Sequence, residues 1–357
     1  MLYWHYETEK NMKKKVTFAD LARKTGFSKT TISRYFNNAD SLSLETQEII
    51  RAAVEELGYK ENKLARVLAN GRTEIIGVVV PSLYMHYYAY LLSHLLQVGE
   101  EYGYKFIVFF SDEDRDTEKK YLSELMAYNV EGLIMISHVT PSKELSKLNV
   151  PVITIEREDQ FVNSVNANNY QGGLMATRHL VDIGCEVLIH INGDLLTTSP
   201  AYGRIRGFRE IAEKSGLESR EYLTRLGIKY RDIRENMIPI FEDIEKNYSG
   251  KKKGIFVSND TSANVLLNLI LQKYNRLPDD YKLIGFDDSP ISWEAVMPFS
   301  TIRQDTRAIA EDAMEMLVRM MDGRKHRIPI ISKSLIHHVI DTELIIRSTT
   351  EKKENNE

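Results

Sequence analysis

Residues 16–34 read Val16-Thr17-Phe18-Ala19-Asp20-Leu21-Ala22-Arg23-Lys24-Thr25-Gly26-Phe27-Ser28-Lys29-Thr30-Thr31-Ile32-Ser33-Arg34. Thr17 precedes an apolar pattern of helical spacing, and Asp20 stands at the capping-box position. Gly26 supplies the left-handed residue that stops this helix. Ser28 caps a second helix, Lys29 to Phe36, in which Ile32 and Phe36 share a face. Two short helices joined by a tight glycine turn make a helix-turn-helix, whose second helix enters the major groove. The residues this helix exposes, Lys29, Thr30, Thr31, Ser33 and Arg34, are short hydroxyls and long cations suited to base edges and phosphates. Thr17, Ser28 and Asn37 complete the set expected at DNA. Ser43 caps a third helix, with Ile50, Ala53, Val54 and Leu57 at core spacing and Gly58 as its stop. Helix count alone describes a small packing unit equally well.

Charge separates this head from the rest of the chain. Residues 12–72 carry 12 Lys and Arg against 7 Asp and Glu, a net of +5. The chain as a whole is at −4, so the remainder is acidic. A basic head on an acidic body suits contact with phosphates, although surface scatter gives the same sum.

The wording is more specific than the count. Residues 16–22 and 26–34, continued by Leu57-Gly58-Tyr59-Lys60 and by Asn62-Lys63-Leu64-Ala65-Arg66-Val67-Leu68, resemble the N-terminal signature of the LacI/GalR family of bacterial regulators. Two positions depart from it: Glu61 stands where the family usually has Pro, and Phe27 where it usually has Val. Residues 1–11 fall outside the signature, which leaves Met12 as a second candidate start, with Lys13-Lys14-Lys15 as a basic arm. The head is expected at 13–61 and a hinge at 62–71.

A hinge helix from Asn62 to Asn70, about nine residues, is marginal by itself in water. Taken alone, Leu68 reads as a packing anchor against the body. The resemblance implies another role: a helix that folds on DNA, pairs with its twin in the dimer and enters the minor groove, with Leu68 as the wedge between base pairs and small Ala65 near the groove floor.

From Glu74 onward, short apolar runs alternate with helical patterns: Ile75–Val80, Lys105–Phe110, Gly132–Ile136 and Val152–Ile155 as strands, then a restart with a helix from Gly172 and strands at Val187–Ile191, near Leu223, at Ile255–Val257 and at Leu283–Phe286. Continuous apolar strands interleaved with helices indicate parallel sheets covered on both faces. The restart indicates two such units, with ligands beyond the carboxyl ends of their strands. The fold class is therefore an all-α helix-turn-helix head with a hinge helix, followed by an α/β core that the resemblance identifies as two-lobed and periplasmic-binding-protein-like, 72–347. The chain is expected to cross between lobes three times, giving a first lobe of about 73–168 plus 304–328 and a second of about 169–302 plus 329–347. Residues 1–12 and 348–357 are expected to be disordered.

The resemblance also places effector contacts. Arg204, three before Gly207 in Ser199-Pro200-Ala201-Tyr202-Gly203-Arg204-Ile205-Arg206-Gly207-Phe208, matches the family's effector arginine, a fork suited to vicinal hydroxyls or a carboxylate. Asn259 in Val257-Ser258-Asn259-Asp260 and Asp287 in Gly285-Phe286-Asp287-Asp288 match its two polar contacts at strand ends. Glu156 stands where the family more often has Asp. Ser82, with Tyr84, Tyr87 and Tyr88, comes after the first strand, where aromatic faces stack on sugar rings. Taken one at a time, these residues also read as surface charge, turn or core.

No dinucleotide glycine motif, Walker loop, His-Glu-x-x-His or Gly-x-Ser-x-Gly elbow is present, so no enzyme and no cofactor are expected. His337-His338 lie in a strand pattern that sends their rings to opposite faces, so no metal site is expected. The single cysteine, Cys185, allows no disulfide within the chain. No apolar run approaches a membrane span, and Met1–Lys15 lacks the apolar stretch of a signal peptide, so a cytoplasmic protein is expected. A sugar-capture protein would need export and has no use for the head. The expected function is a homodimeric, sequence-specific repressor of a carbohydrate operon, bound to double-stranded operator DNA and released by a small sugar-like effector. The alternative is a corepressor-dependent regulator answering another metabolite. The polar tail from Ser348 has no apolar heptad, so a dimer rather than a tail-bundled tetramer is expected.

Overall fold

The computed structural model describes residues 16–60, 72–325 and 335–351. It divides into two compact units, Met1–Arg72 and Thr73–Glu357.

The first unit is built of α1 (Phe18–Thr25), α2 (Lys29–Asn37) and α3 (Leu44–Leu57). The caps are those the sequence names. The Asp20 carboxylate accepts both the N–H and the hydroxyl of Thr17, at 2.9 and 2.7 Å. Ser28 Oγ accepts the Thr31 N–H at 3.1 Å, and Ser43 Oγ the Thr46 N–H at 3.3 Å. Gly26 ends α1 at φ 74°, a conformation that costs a residue with a Cβ. Leu21, Ile32, Ile50 and Ala53 are buried together, and Phe18 stacks on Phe36 at 5.3 Å. Each large aliphatic contributes about 1.5–3 kcal/mol by leaving water. With so small a core, this burial and the caps are what hold the three helices.

The second unit contains two sheets. The strands are β1 (Ile75–Val80), β2 (Lys105–Phe110), β3 (Gly132–Met135), β4 (Val152–Ile155), β5 (Asn163–Ala167), β6 (Val187–Asn192), β7 (Glu218–Leu223), β8 (Lys253–Val257), β9 (Tyr281–Asp287), β10 (Ser300–Gln304), β11 (His337–Ile340) and β12 (Thr342–Ile345). The first sheet has the order β11-β5-β4-β3-β1-β2 and is parallel throughout. The second has the order β12-β10-β9-β8-β6-β7, parallel except where β12 runs against β10. Parallel strands need both faces covered, which is why β1, β3, β4, β6 and β8 are nearly or wholly buried. In the first sheet, Ile76, Val78 and Val80 pack on one side with Leu91, Leu95 and Leu317. Val79, Leu133 and Met135 pack on the other with Leu122 and Leu125.

The covering helices are α4 (His86–Glu101), α5 (Arg115–Ala127), the short α6 (Ser142–Leu145), α7 (Asn169–Asp182), α8 (Tyr202–Ser215), α9 (Tyr230–Asn247), α10 (Asp260–Tyr274), the short α11 (Ile291–Glu294) and α12 (Thr306–Lys325). α7 and α8 cross in close contact. A Cβ on Gly173 would lie 2.5 Å from the Arg204 carbonyl oxygen, and one on Gly207 2.5 Å from that of Tyr170. Only glycine permits this approach, and it fixes the backbone from which Arg204 projects.

The two lobes and three crossings are present, but two boundaries differ from the expectation. The expected return to the second lobe near 329 is corrected by β11, which pairs with β5 in the first sheet through His337↔Ser164 and Ile340↔Ala167. The third crossing falls at Asp341, one residue between two edge strands of different sheets. The stretch Ile336 to Ile346 has no glycine or proline to mark a break, which conceals a crossing that short. The expectation of disorder from Ser348 is corrected for Ser348–Glu351. Thr349 and Thr350 are buried; Thr349 donates to the Leu283 carbonyl at 2.6 Å and accepts the Ser300 N–H at 2.9 Å.

Candidate functional site

In the head, the surface of α2 carries the expected groups. Lys29, Thr30 and Arg34 are exposed, while Thr31 and Ser33 are half-buried. The other described helix cations of the head are neutralised: Arg23 by Asp20, Lys24 by Glu56, and Arg51 by Glu48 and Glu55. Lys29 and Arg34 make no ion pair among the described residues, so their charge is presented outward. Thr31 shares a hydrogen bond with Ser28 at 2.9 Å, and Asn37 Nδ2 donates to the carbonyl and hydroxyl of Ser33 at 2.9 and 3.1 Å. These bonds order the helix surface before any partner arrives. Ala65 and Leu68 lie outside the described residues.

In the body, the carboxyl ends of both sheets open on one cavity of about 450 Å³. Glu156 comes just after β4, Asn259 just after β8, Asp287 ends β9 and Arg204 comes from the first turn of α8; all four line it, with Tyr87 and Tyr88 from α4. Ser82 and Tyr84 do not. The Ser82 hydroxyl turns to the Ile228 carbonyl at 3.4 Å and the Tyr84 N–H at 3.2 Å, which makes it a contact between lobes.

The wall is a chain of buried polar bonds. Glu156, at φ 57°, accepts the Ala167 N–H at 2.5 Å and the Asn169 amide at 2.7 Å. Asn169 Oδ1 accepts Arg204 Nε at 2.7 Å, and Arg204 Nη1 donates to the Ser258 carbonyl at 2.5 Å. The guanidinium lies over the Phe286 ring, 3.7 Å from its centre, an attraction of a cation to the ring face. Asp287, at φ 121°, accepts Gln304 Nε2 at 2.7 Å. Asn259 caps α10, its Oδ1 accepting the Ser262 N–H at 2.8 Å.

Burial sets the protonation of these groups. It raises the Glu156 carboxyl against the pull of Arg204. It raises Asp287 to about 7, again with Arg204 opposing. Behind Asp287 lies Asp260, held well above the usual carboxylate range by burial and then by the Asp287 charge. The Tyr87 phenol is raised by burial first, then by Glu156 and Asp287, and stays neutral; its hydroxyl is buried with no hydrogen-bond partner among the described residues. An unpartnered polar atom on a cavity wall is a place for a ligand group.

Several wall residues are not named by the sequence reading. Asn192 ends β6 and Gly193, Asp194, Leu195 and Ser199 follow it, Arg225 to Ile228 come from the segment after β7, His138 from that after β3, and Glu113 from that after β2. Their common signal, position just past a strand end, is present at every strand. Asn192 is held by His190, whose Nε2 lies 3.1 Å from Asn192 Nδ2 while its Nδ1 lies 2.9 Å from the Phe256 carbonyl. Two exposed ion pairs cross the cleft mouth, Arg225 to Glu113 at 2.9 Å and Lys229 to Asp112 at 3.0 Å. Among the described residues, no cluster of three His, Cys, Asp or Glu is placed to hold a metal, and no helix is long and apolar enough to cross a membrane.

Known proteins share both units. Residues 17–62 match the family described as bacterial regulatory proteins, lacI family, and residues 177–350 match the periplasmic binding protein-like domain. The sucrose operon repressor of Streptococcus mutans is 30% identical over 305 residues, covering 85% of this chain and 92% of the relative. The ribose operon repressor of Halalkalibacterium halodurans is 27% identical over 343 residues, covering 96% and 99%. In fold, the lac repressor dimer bound to operator and the anti-inducer ONPF superposes with a TM-score of 0.76 at 24% identity, over 94% of this chain and 99% of that one. The head, the two-sheet body and this extent of likeness place the chain in the lacI family of bacterial regulatory proteins.

Proposed function

We propose that this chain is a cytoplasmic, homodimeric repressor that binds a near-palindromic operator of a carbohydrate operon and is released by a small sugar-like effector. The observation that carries the reading is the joining of two devices in one chain. A recognition helix presents Lys29 and Arg34 with no ion pair among the described residues, and a polar cavity between two lobes is walled by Arg204, Asp287 and Glu156. The relatives named as repressors of ribose and sucrose operons support the carbohydrate class. In this reading, Thr17, Ser28, Lys29, Thr30, Thr31, Ser33, Arg34 and Asn37 meet DNA, with Ala65 and Leu68 as the hinge contacts that the family implies.

The first lobe comes directly after the hinge in sequence, so its orientation sets how two hinges meet in a dimer. An effector touching both lobes favours one orientation, and it releases DNA if that orientation is the DNA-incompetent one. The chemistry needs no reacting group: the wall recognises hydroxyls and transmits their binding energy to lobe geometry. No catalytic role is assigned to any residue.

The test is selection from a randomised duplex pool. The full chain is expected to enrich a two-fold symmetric site, and a chain lacking residues 1–72 to enrich nothing while keeping any ligand-induced thermal shift. Failure of the full chain to enrich any sequence overturns the reading.

A further inference from the structure

We propose that the effector of this cleft bears hydroxyl groups and no phosphate or carboxylate, because the protein's own acids occupy the places where an anion would bind. The inference rests on the reading of the cleft as the effector site and narrows it to a chemical class.

The walls carry four carboxylates, Glu113, Glu156, Asp194 and Asp287, against two guanidinium groups, Arg204 and Arg225. The other nitrogen base on the wall, His138, is uncharged at neutral pH, since burial and then the nearby Arg157 lower it to about 4. Neither arginine is uncommitted. Arg225 is tied to Glu113 at the mouth. Arg204 spends Nε on Asn169 and one Nη1 hydrogen on the Ser258 carbonyl, and its charge faces Glu156 and Asp287.

Helix N-termini are the other common anion sites, because they offer free N–H groups. Three open on this cavity, at α4, α8 and α10, and most of their N–H groups are already bonded: at α4, that of His86 to the Thr261 hydroxyl at 3.2 Å and that of Tyr88 to the Met85 carbonyl at 3.0 Å. At α10, the Asn259 side chain caps the Ser262 N–H at 2.8 Å. At α8, the N–H groups of Tyr202, Gly203 and Arg204 bond the carbonyls of Ser199, Pro200 and Ala201 at 3.0, 2.9 and 3.2 Å.

A phosphate group brings a charge of about −1.5 to −2 and three acceptor oxygens. In this cleft it would meet four acids against two guanidinium groups that already face them, with Asp260 buried behind. Like charges brought together in a desolvated site oppose binding. A hydroxyl fits instead, because it both donates and accepts. It donates to Asp287, whose lone pairs are not all used, and accepts from the remaining Arg204 hydrogens or from the unpartnered Tyr87 phenol. Tyr87 and Tyr88 supply apolar ring surface beside these polar groups, as a sugar ring requires.

The experiment is a paired panel measured on the full chain by thermal shift and calorimetry: ribose with ribose 5-phosphate, glucose with glucose 6-phosphate and with glucuronate, fructose with fructose 6-phosphate, and sucrose with sucrose 6-phosphate. At least one free sugar is expected to stabilise the chain and to bind at least ten-fold tighter than its anionic counterpart. A phosphate or carboxylate member that binds as tightly as its free sugar, or tighter, overturns the inference while leaving the cleft a sugar site. Stabilisation by no member of the panel overturns the reading of the cleft as a sugar site, and this inference with it. The variant Glu156→Gln/Asp287→Asn tests the cause: the preference for free sugar over its phosphate is expected to shrink at least ten-fold. An unchanged preference in a folded double variant shows that these acids do not exclude the anion. If that variant does not fold, the paired panel on the unaltered chain decides.

Discussion

The Glu156 carboxylate, at the end of β4 in the first lobe, accepts the amide of Asn169 at 2.7 Å, and Asn169 is the first residue of α7 in the second. Asn169 in turn accepts Arg204 Nε at 2.7 Å. One buried amide thus ties a first-lobe acid to the principal cation of the cleft across the first crossing of the chain. Removing it leaves a guanidinium hydrogen and a carboxylate lone pair buried without partners, which costs about 1–3 kcal/mol each way. Asn169→Ala is therefore expected to lower the melting temperature and to weaken binding of any stabilising sugar at least ten-fold. Asn169→Asp adds a third acid beside Glu156 and Asp287 and is expected to be worse. Calorimetry and thermal melts check both; an Asn169→Ala chain with normal sugar affinity would show that this linkage does not position Arg204.

Asp287 gives the fold a pH dependence whose sign can be stated. Burial raises its carboxyl to about 7 in the folded chain, against about 3.9 unfolded. The folded state therefore holds a proton that the unfolded state has lost across this window, and stability falls as pH rises from about 4 to about 7. Above that, the folded chain carries the charge and the contribution is lost. Asp260, raised in the same direction, titrates with it as a pair. Asp287→Asn removes one member of the pair. Its melting temperature is expected to decline less between pH 5 and pH 8 than that of the unaltered chain, so the difference between the two grows in the variant's favour as pH rises. A parallel decline in the two chains would place the dependence elsewhere.

The residues legible in the sequence share a cause. Thr17, Gly26, Ser28, Ser43 and Gly58 act through local chemistry, in which a cap or a left-handed residue means the same in any context, and the structure uses each one as expected. Arg204, Asn259, Asp287 and Glu156 are legible because their segments have a recognisable wording, not because any single residue is unusual. Where a signal is tertiary, it is hidden. α9 runs from Tyr230 to Asn247 with Pro239 inside it, and a proline reads locally as a break. β5, Asn163-Ser164-Val165-Asn166-Ala167, is half polar, and Asn166 is buried there by its bonds to Glu158 and Ser164. The place of Ser82 after β1 points to the site, yet its hydroxyl is turned to Ile228. Direction of a side chain is decided by what packs around it, and that information is spread over the whole chain.

For the head, exposure and charge make a separable prediction. Lys29 and Thr30 begin α2 and face outward, whereas Ile32 on the same helix is wholly buried. Replacing Lys29 and Thr30 is expected to change which duplex is selected, at about 1–3 kcal/mol for each lost base contact. Replacing Arg34 by Ala is expected to reduce the salt dependence of binding if its role is with phosphate. Selection from a randomised pool, followed by anisotropy titrations at several salt concentrations, distinguishes the two. An unchanged sequence preference after the Lys29 and Thr30 replacements would reject α2 as the recognition helix.

The switch is the most demanding consequence. Arg204 and Asp287 belong to the second lobe, and Glu156 and Tyr87 to the first, yet all four line one cavity. An effector bridging them changes the relative stability of two lobe arrangements, which is what coupling to DNA requires. Asp287→Ala removes a proposed ligand contact and relieves the crowding with Asp260, and it lies outside the head. Arg204→Ala removes the fork and leaves Asn169 and the Ser258 carbonyl short of a donor. Each variant is expected to bind the selected operator within a few fold of the unaltered chain when no sugar is present. Each is also expected to stay on the operator at sugar concentrations that release the unaltered chain, with Arg204→Ala additionally less stable to heat. Fluorescence anisotropy of a labelled operator, with and without the sugar identified by thermal shift, measures both quantities. Variants that release normally would place the effector elsewhere, and variants that lose the operator without sugar would show these residues to set the DNA-binding arrangement itself.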